Sequence, residues 1–208
     1  MHRPPDPELP ADRAVYGSKT SAYDKSVAAA ASVDAAAAQS YFDVRGWDFS
    51  EDLLGTYLGN NEAGFIYEIS THHYERAMAT SGAKMMLVEC LEEIKNQARQ
   101  NPQMGVTREL TSAWLGVQAG DDDIDNALGH YDVAVTSDIT VSESDGGLQA
   151  EIIYKTYVYE FYNFDKDSET SPAGVVNNEM RHLEEAGWPR SFRVHGEATL
   201  QFKEVEKL

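Results

Sequence analysis

An aromatic segment that runs directly into acidic residues is the strongest candidate site in this sequence. Residues 154–167 read YKTYVYEFYNFDKD and contain Glu160, Tyr162, Asp165 and Asp167. Aromatic walls with a few convergent polar groups are typical of a ligand pocket, so these residues suit the rim of one. A strand covered by apolar layers on both faces, followed by a polar loop, explains the same pattern equally well.

Two acidic segments have the alternate spacing of the oxygen ligands in a calcium-binding loop: Asp121, Asp123 and Asp125, and Asp165, Asp167 and Glu169. Such a loop also needs a glycine at its sixth position. This chain has Asn126 and Thr170 there. A solvated acidic loop is therefore the preferred interpretation of both segments, and binding of Mg²⁺ or Ca²⁺ is the alternative.

The histidines are a weaker indication of chemistry. His72, His73 and Glu75 place a histidine and a carboxylate one helical turn apart, which suits metal binding or acid–base catalysis. No third ligand is evident, so an exposed polar helix face is the preferred interpretation. Three isolated histidines join a site only if the fold brings them there: His130, His182 and His195.

Several common catalytic motifs do not occur in the sequence. They are the phosphate-cradling P-loop, the dinucleotide-binding glycine triplet, the serine nucleophile elbow and the two-histidine zinc helix. Nucleotide-driven chemistry is therefore disfavoured.

The segment from Tyr131 to Phe202 resembles the C-terminal toxin domain of the colicin M family. The family's Asp-x-Tyr-Asp motif aligns with residues 160–163, where Tyr162 matches outright, and its last strand aligns with residues 192–196. The two aspartates of the motif fall on Glu160 and Asn163. The family's His-Arg pair falls on Glu169 and Thr170, and the nearest basic pair is Arg181 and His182.

This resemblance implies an antibacterial effector-type toxin domain that acts at the cell envelope. Its reaction would be metal-assisted hydrolysis of a phosphodiester in a lipid-linked cell-wall precursor, with Mg²⁺ as the metal. Glu160 and Tyr162 would act on the substrate, and Arg181 and His182 would neutralise charge and assist proton transfer. The remaining carboxylates, Asp165 and Asp167, would bind the metal.

The charge balance supports a second hypothesis. The chain has 35 acidic and 17 basic residues, a formal net charge of -18, and no basic patch is visible in the sequence. Such a charge repels nucleic acids and anionic membranes, so neither is expected as a partner. It suits a non-catalytic binding or inhibitor module for a basic protein partner. A structural protein of an assembly is a third possibility.

The sequence contains neither a membrane-spanning segment nor a typical signal peptide, and our expectation for the location of the protein is based on this. No apolar run reaches the roughly 20 residues that a membrane-spanning helix needs. Residues 1–13 contain four prolines mixed with charges, unlike a secretory signal peptide. We expect a soluble protein, cytoplasmic in the producing cell, which as a toxin is delivered to the periplasm of a target cell. Cys90 is the only cysteine, so no internal disulfide forms.

Hydrophobic periodicity predicts an α+β fold. The alanine-rich composition of residues 26–42 predicts a helix. Apolar residues at helical spacing predict five more, namely 50–59 with Ser50 as N-cap, 71–79, 83–99, 107–115 and 174–186. Ser81 and Gly82 either cap the fourth segment or interrupt one long helix. After Gly129 the period changes to two, which predicts a β-hairpin over 131–164 and a closing strand over 192–202.

These elements predict one domain at 14–208, preceded by a disordered tail at 1–13. Its helical part, 14–129, would pack on one face of a twisted antiparallel sheet formed by 130–208.

Overall fold

The computed structural model describes residues 1–144, 146–166 and 172–208. Within them, helices concentrate in the first half of the chain and strands in the second, which confirms the α+β class. The helices are α1 (Ala22–Arg45), α2 (Asp48–Leu58), α3 (Thr71–Ala79), α4 (Ser81–Gln100), α5 (Asp122–Leu128) and α6 (Pro172–Glu185). The strands are β1 (Ile66–Glu68), β2 (Thr107–Thr111), β3 (Leu115–Gln118), β4 (His130–Ser144), β5 (Gly147–Tyr162), β6 (Phe192–Glu197) and β7 (Phe202–Lys207).

The seven strands form one mixed sheet rather than the purely antiparallel one predicted. The strand order is β1-β6-β5-β4-β2, with β3 also paired to β4 and β7 also paired to β5. β1 runs parallel to β6, in the register Ile66–Arg193 to Glu68–His195. At three residues β1 is too short to show a clear alternating pattern in sequence, so the parallel edge was missed.

The hairpin of β4 and β5 is confirmed, and its two long strands form the centre of the sheet. Its register runs from Asp132–Tyr159 to Ser144–Gly147. Gly146 has a φ of 103°, a conformation in which glycine carries no steric penalty. Asp145, which belongs to the predicted turn, lies outside the described residues.

The alanine-rich helix is confirmed as α1, and its ends explain its length. Ser21 caps it in a capping box with Asp24, and Gly46 ends it with a left-handed φ of 68°. Three alanines are buried: Ala28, Ala31 and Ala35. Their small side chains allow α1 to pack closely on its neighbours.

The choice between one long helix and two is settled at Thr80. This residue is both the C-cap of α3 and the N-cap of α4, and its Oγ1 accepts a hydrogen bond from the Ala83 amide at 3.2 Å. Gly82 serves another purpose, because a Cβ there would overlap the backbone carbonyl oxygen of Gln118. The glycine lets α4 approach β3 at backbone distance.

Three predicted elements differ from the structure. Residues 107–115 contain β2 and the start of β3 instead of a helix, because pairing with β4 overrides weak local preference. Ser50 lies inside α2, whose N-cap is Trp47, and bonds to Asp123 instead. The closing strand is two strands, because the 16-residue β5 pairs β6 along one part and β7 along another.

Residues 1–13 were predicted to be disordered, whereas the structure places residues 1–6 on the face of the sheet opposite the helices. Arg3 donates hydrogen bonds to the carbonyl oxygens of Val158 at 2.8 Å and Gly196 at 3.2 Å. Its guanidinium also lies 5.5 Å from the ring centroid of Trp114 and 5.6 Å from that of Tyr157. Cation–π contacts and buried hydrogen bonds offset the cost of ordering this proline-rich segment.

In the part of the chain that the structure describes, no helix is long and apolar enough to cross a bilayer.

Candidate functional site

A cavity of about 630 Å³ lies where β5 ends and β4 begins, beneath α1, α2, α5 and α6. This volume is in the range of ligand pockets. Acidic, amide and imidazole side chains share its lining with apolar ones. The lining residues are Ala38, Phe42, Leu54, Asp125, Asn126, Ala127, Leu128, Gly129, His130, Glu160, Tyr162, Asn163, Phe164, Asp165, Val176, Asn177 and Met180.

Strand alternation places the two central residues of this site. Even-numbered side chains at the end of β5 point to the helical face of the sheet, so Glu160 and Tyr162 reach the cavity together. The odd-numbered Tyr159 points to the other face, where its ring lies 5.8 Å from that of Trp114. Both interpretations of the aromatic segment therefore hold in part, because one face forms a pocket wall and the other is covered.

The aromatic wall around Tyr162 is fixed by ring contacts. Tyr162 stacks on Phe192 with centroids 5.2 Å apart and meets Phe164 edge-on at 5.6 Å. Tyr57 lies 5.8 Å away and donates a hydrogen bond from its hydroxyl to the Met180 carbonyl oxygen at 2.9 Å. Burial raises the pKa of the Tyr162 phenol. Tyr162 therefore keeps its proton and acts as a neutral wall.

Glu160 is the electrostatically unusual group of the cavity. Its pKa is raised well above the usual range, first by burial and then by repulsion from Asp132 and Asp165. Both causes disfavour the ionised form. A carboxyl whose pKa is raised in this way is suited to donate a proton near neutral pH.

Asp165 is exposed at the mouth of the cavity, and its neighbour sets its position. The side-chain amide of Asn163 donates a hydrogen bond to Asp165 Oδ1 at 2.6 Å. The Oδ1 atom of Asp125, on the opposite side, accepts hydrogen bonds from the amides of Ala119 at 3.2 Å and Gly120 at 3.3 Å. Of these two carboxylates, Asp165 is the one more available to a ligand.

Arg181 and His182 do not line this cavity. The Nε2 atom of His182 lies 3.2 Å from the carbonyl oxygen of Asp24, and Arg181 Nε lies 3.3 Å from Glu185 Oε1. The reason is helical geometry, since Met180 lines the cavity and the next two residues of α6 point to other sides. Asp167, Glu169 and Thr170 lie outside the described residues.

The described residues provide no ready-made metal site. Among residues 1–144, 146–166 and 172–208, no group of three His, Cys, Asp or Glu side chains is arranged to hold a metal ion. Asp121, which has calcium-loop spacing, instead caps α5 by accepting a hydrogen bond from the Ile124 amide at 3.0 Å. Asp123 is buried and accepts hydrogen bonds from Ser50. The acidic segment is thus the beginning of a helix.

His73 and Asp48 belong to a second polar cluster, between α2, α3 and α5. The Nε2 atom of His73 lies 3.0 Å from Asp48 Oδ2, and Arg76 bridges Asp48 and Asp123 at 2.9 Å each. His73 is buried against the ring of Phe49, with centroids 4.4 Å apart, so the prediction of an exposed polar face was wrong for it. This cluster ties three helices together.

Sequence reasoning missed several residues of the cavity. Phe42, His130 and Asn177 come from α1, β4 and α6 and share a site only through the fold. In the sequence, His130 is an isolated histidine. Residues so far apart in sequence form no local pattern that reveals their proximity.

No protein-family model, curated protein or solved structure matches this chain.

Proposed function

We propose that this chain is an effector-type toxin domain and that the cavity at the end of β5 is its hydrolase active site, with Glu160 as general acid. The observation that supports this most is that Glu160, Tyr162 and Asp165 line one cavity in which the pKa of the Glu160 carboxyl is raised. Two carboxyl groups in different environments suit an acid and a base.

The proposed reaction is hydrolysis of a phosphodiester in a lipid-linked cell-wall precursor. Asp165 accepts a proton from a water molecule while the oxygen of that water forms a bond to phosphorus. Protonated Glu160 gives its proton to the leaving oxygen as the bond between phosphorus and that oxygen breaks. Tyr162 and Phe164 provide the apolar wall beside the reacting group.

The pairing of β5 with β6 is compatible with the resemblance to colicin M-like toxin domains. The two segments aligned with that family, residues 160–163 and 192–196, are neighbours in the sheet. Glu160 lies opposite Val194, and Tyr162 lies opposite Phe192. Both segments therefore contribute to one region of the molecule. Arg181 and His182, named on the same resemblance, have no role in this mechanism.

A hydrolysis assay tests the proposal. The substrate is a lipid-linked pyrophosphate cell-wall precursor. The protein and substrate are incubated with and without Mg²⁺ to show whether hydrolysis depends on the metal. We expect Glu160→Gln to lower kcat by roughly 10²-fold or more, the usual contribution of a general acid. Glu143→Gln, on the exposed far end of the hairpin, is the matched control. Full activity in a Glu160→Gln, Asp165→Asn double variant would overturn the assignment.

A second candidate function is a non-catalytic acidic module that binds a basic protein partner. Its support is the net charge of -18 together with a cavity lining that contains no Lys or Arg among the described residues. Steering by charge predicts association that weakens as salt rises. A binding titration against a basic protein at low and high salt tests it, and an affinity independent of salt would exclude it.

A further inference from the structure

A second cavity, of about 330 Å³, lies on the other side of Phe192 from the first. Three arginines line it, although the chain has only 17 basic residues in all: Arg13, Arg190 and Arg193. They come from the N-terminal segment, from the loop after α6 and from β6. No basic patch is evident in the sequence, because Arg13 joins Arg190 and Arg193 only in the fold.

Arg190 has unused capacity to bind an anion. Its guanidinium stacks on the ring of Tyr16 at 3.9 Å from the centroid, which fixes its position. Its Nε is buried and has no hydrogen-bond partner within the described residues. A buried donor without an acceptor costs free energy, which an anion in the cavity would recover.

The other two arginines leave room for a ligand as well. Arg193 Nε is also buried without a hydrogen-bond partner in the described part of the chain, although Asp6 Oδ2 lies 3.4 Å away as an ion-pair partner. Arg13 is exposed at the rim and donates one hydrogen bond, from Nη1 to the Pro10 carbonyl oxygen at 3.1 Å. A guanidinium has five N–H donors, so each retains donors for a ligand.

One carboxyl group also lines this cavity, and it is already engaged. The side chain of Glu184 accepts hydrogen bonds from the Ser191 amide, at 3.0 Å, and from the Ser191 hydroxyl. Burial raises the pKa of Glu184, which disfavours its negative charge. Among the residues that line this cavity, three guanidinium groups therefore face one carboxyl group, Glu184, while Asp6 pairs with Arg193 from outside the lining.

We propose that this second cavity binds the phosphate group of a small ligand through Arg13, Arg190 and Arg193, with Phe65 and Phe161 against its organic part. The planar fork of a guanidinium matches two phosphate oxygens at once. The volume holds a phosphate with a small attached group. Because the protein as a whole repels anions, binding here depends on this local cluster. The lining shares no residue with the first cavity, so the proposal is independent of the hydrolase assignment.

Calorimetric titration of inorganic pyrophosphate into the whole chain, at constant ionic strength, tests this. We expect saturable 1:1 binding, weakened about tenfold or more by Arg190→Gln, because that variant loses charge-assisted hydrogen bonds to the anion. Arg13→Gln, at the exposed rim, should weaken binding several-fold. This second variant provides the test if the Arg190 variant does not fold. Arg99→Gln, on α4 beside Glu92, is the matched control and should leave affinity unchanged.

Acetate at the same ionic strength distinguishes phosphate recognition from general anion attraction and should bind at least tenfold more weakly. Three results would overturn the proposal: no saturable heat with pyrophosphate, equal affinity for acetate, or the same loss in the Arg99 variant as in the Arg190 variant.

Discussion

Tyr162 and Phe192 stack almost in parallel, with ring centroids 5.2 Å apart and an interplanar angle of 16°. Tyr162 lines the first cavity and Phe192 lines the second, so this ring pair is the wall between them. Both rings are buried, and the pair joins the end of β5 to the start of β6. One contact therefore supports the geometry of both proposed sites.

Replacing Phe192 should harm stability and both sites together. Phe192→Ala removes a buried ring, and such truncations cost roughly 3–5 kcal/mol. We expect a loss of that size in urea unfolding at pH 7. Phe202→Ala, at the half-exposed ring of β7, is the matched control and should cost much less. Equal losses in the two variants would contradict the central role of the stacked pair.

Glu160 should make the folded protein less stable as pH rises. A folded pKa above the unfolded value means that the native state retains a proton that the unfolded state has lost, so stability falls with pH above about 4.5. Glu160→Gln removes this penalty and should be more stable than the parent at pH 7, with the difference vanishing below about pH 4. Denaturant unfolding between pH 3 and pH 8 measures this.

The same variant separates catalysis from folding. If Glu160→Gln lost activity because it unfolded, its stability would fall rather than rise. Glu143→Gln, which is exposed, should follow the parent at every pH. A Glu160 variant that is less stable than the parent at pH 7 would show that its carboxyl group is held by a favourable interaction.

Asp48 should contribute stability that disappears in acid. The hydrogen bond from His73, together with the positive charge of Arg76, lowers the pKa of Asp48 from 3.8 to about 2. A lowered folded pKa gives stability that is complete above pH 4 and is lost as pH falls toward 2. Asp48→Asn should therefore be less stable than the parent at pH 5 and equal to it near pH 2, as measured by urea unfolding. A difference that does not change with pH would refute this.

Gly82 should not tolerate a side chain. A Cβ at this position would overlap the carbonyl oxygen of Gln118, so Gly82→Ala must push α4 away from β3. Overpacking of this kind costs about 1–3 kcal/mol or more. Gly116→Ala is the matched control, because a Cβ there meets only Asp132 Oδ1, at 3.6 Å. Thermal unfolding of the two variants compares them, and a neutral Gly82→Ala would show that α4 can shift freely.

Arg3 should hold the N-terminal segment on the sheet. Arg3→Ala removes two hydrogen bonds and two cation–π contacts, which exposes the indole of Trp114. With Trp47 and Trp188 replaced by Phe, we expect the emission of Trp114 to shift to longer wavelength. Arg45→Ala in the same background is the control, because Arg45 stacks on Tyr41 at a separate exposed site on α1. Unchanged emission in Arg3→Ala would indicate that other residues hold the segment.

Local patterns in the sequence predicted some elements well and others poorly. The hairpin of β4 and β5 was evident because alternation continues over two long strands. β2 and β3 were missed because each is only four or five residues long and is stabilised by its pairing with β4. The N-terminal segment is ordered by contacts with residues more than 100 positions away, which no local pattern reveals: Arg3 bonds to Val158, Pro5 to Trp114 and Asp6 to His195.

The candidate site was predicted to the extent that one strand carries it. Glu160 and Tyr162 are two residues apart on β5, so alternation alone places them on one face. Arg181 and His182 were predicted as site residues because they are the basic pair nearest to the aligned motif, but the geometry of α6 directs them away from the cavity. The arginines of the second cavity come from three separate elements, and their approach is a property of tertiary structure.

β6 and β7 lie end to end along the side of β5 that faces away from β4, so this side of β5 has two parts that can open separately. β7 pairs with residues 149–154, whereas both cavity walls lie beside the part paired with β6. Its Phe202 and Val205 are substantially exposed. Fluctuations that release β7 would therefore break few buried contacts, while those that release β6 would break the stacked aromatic pair. β7 can thus detach from β5 without disturbing the region where ligands would bind.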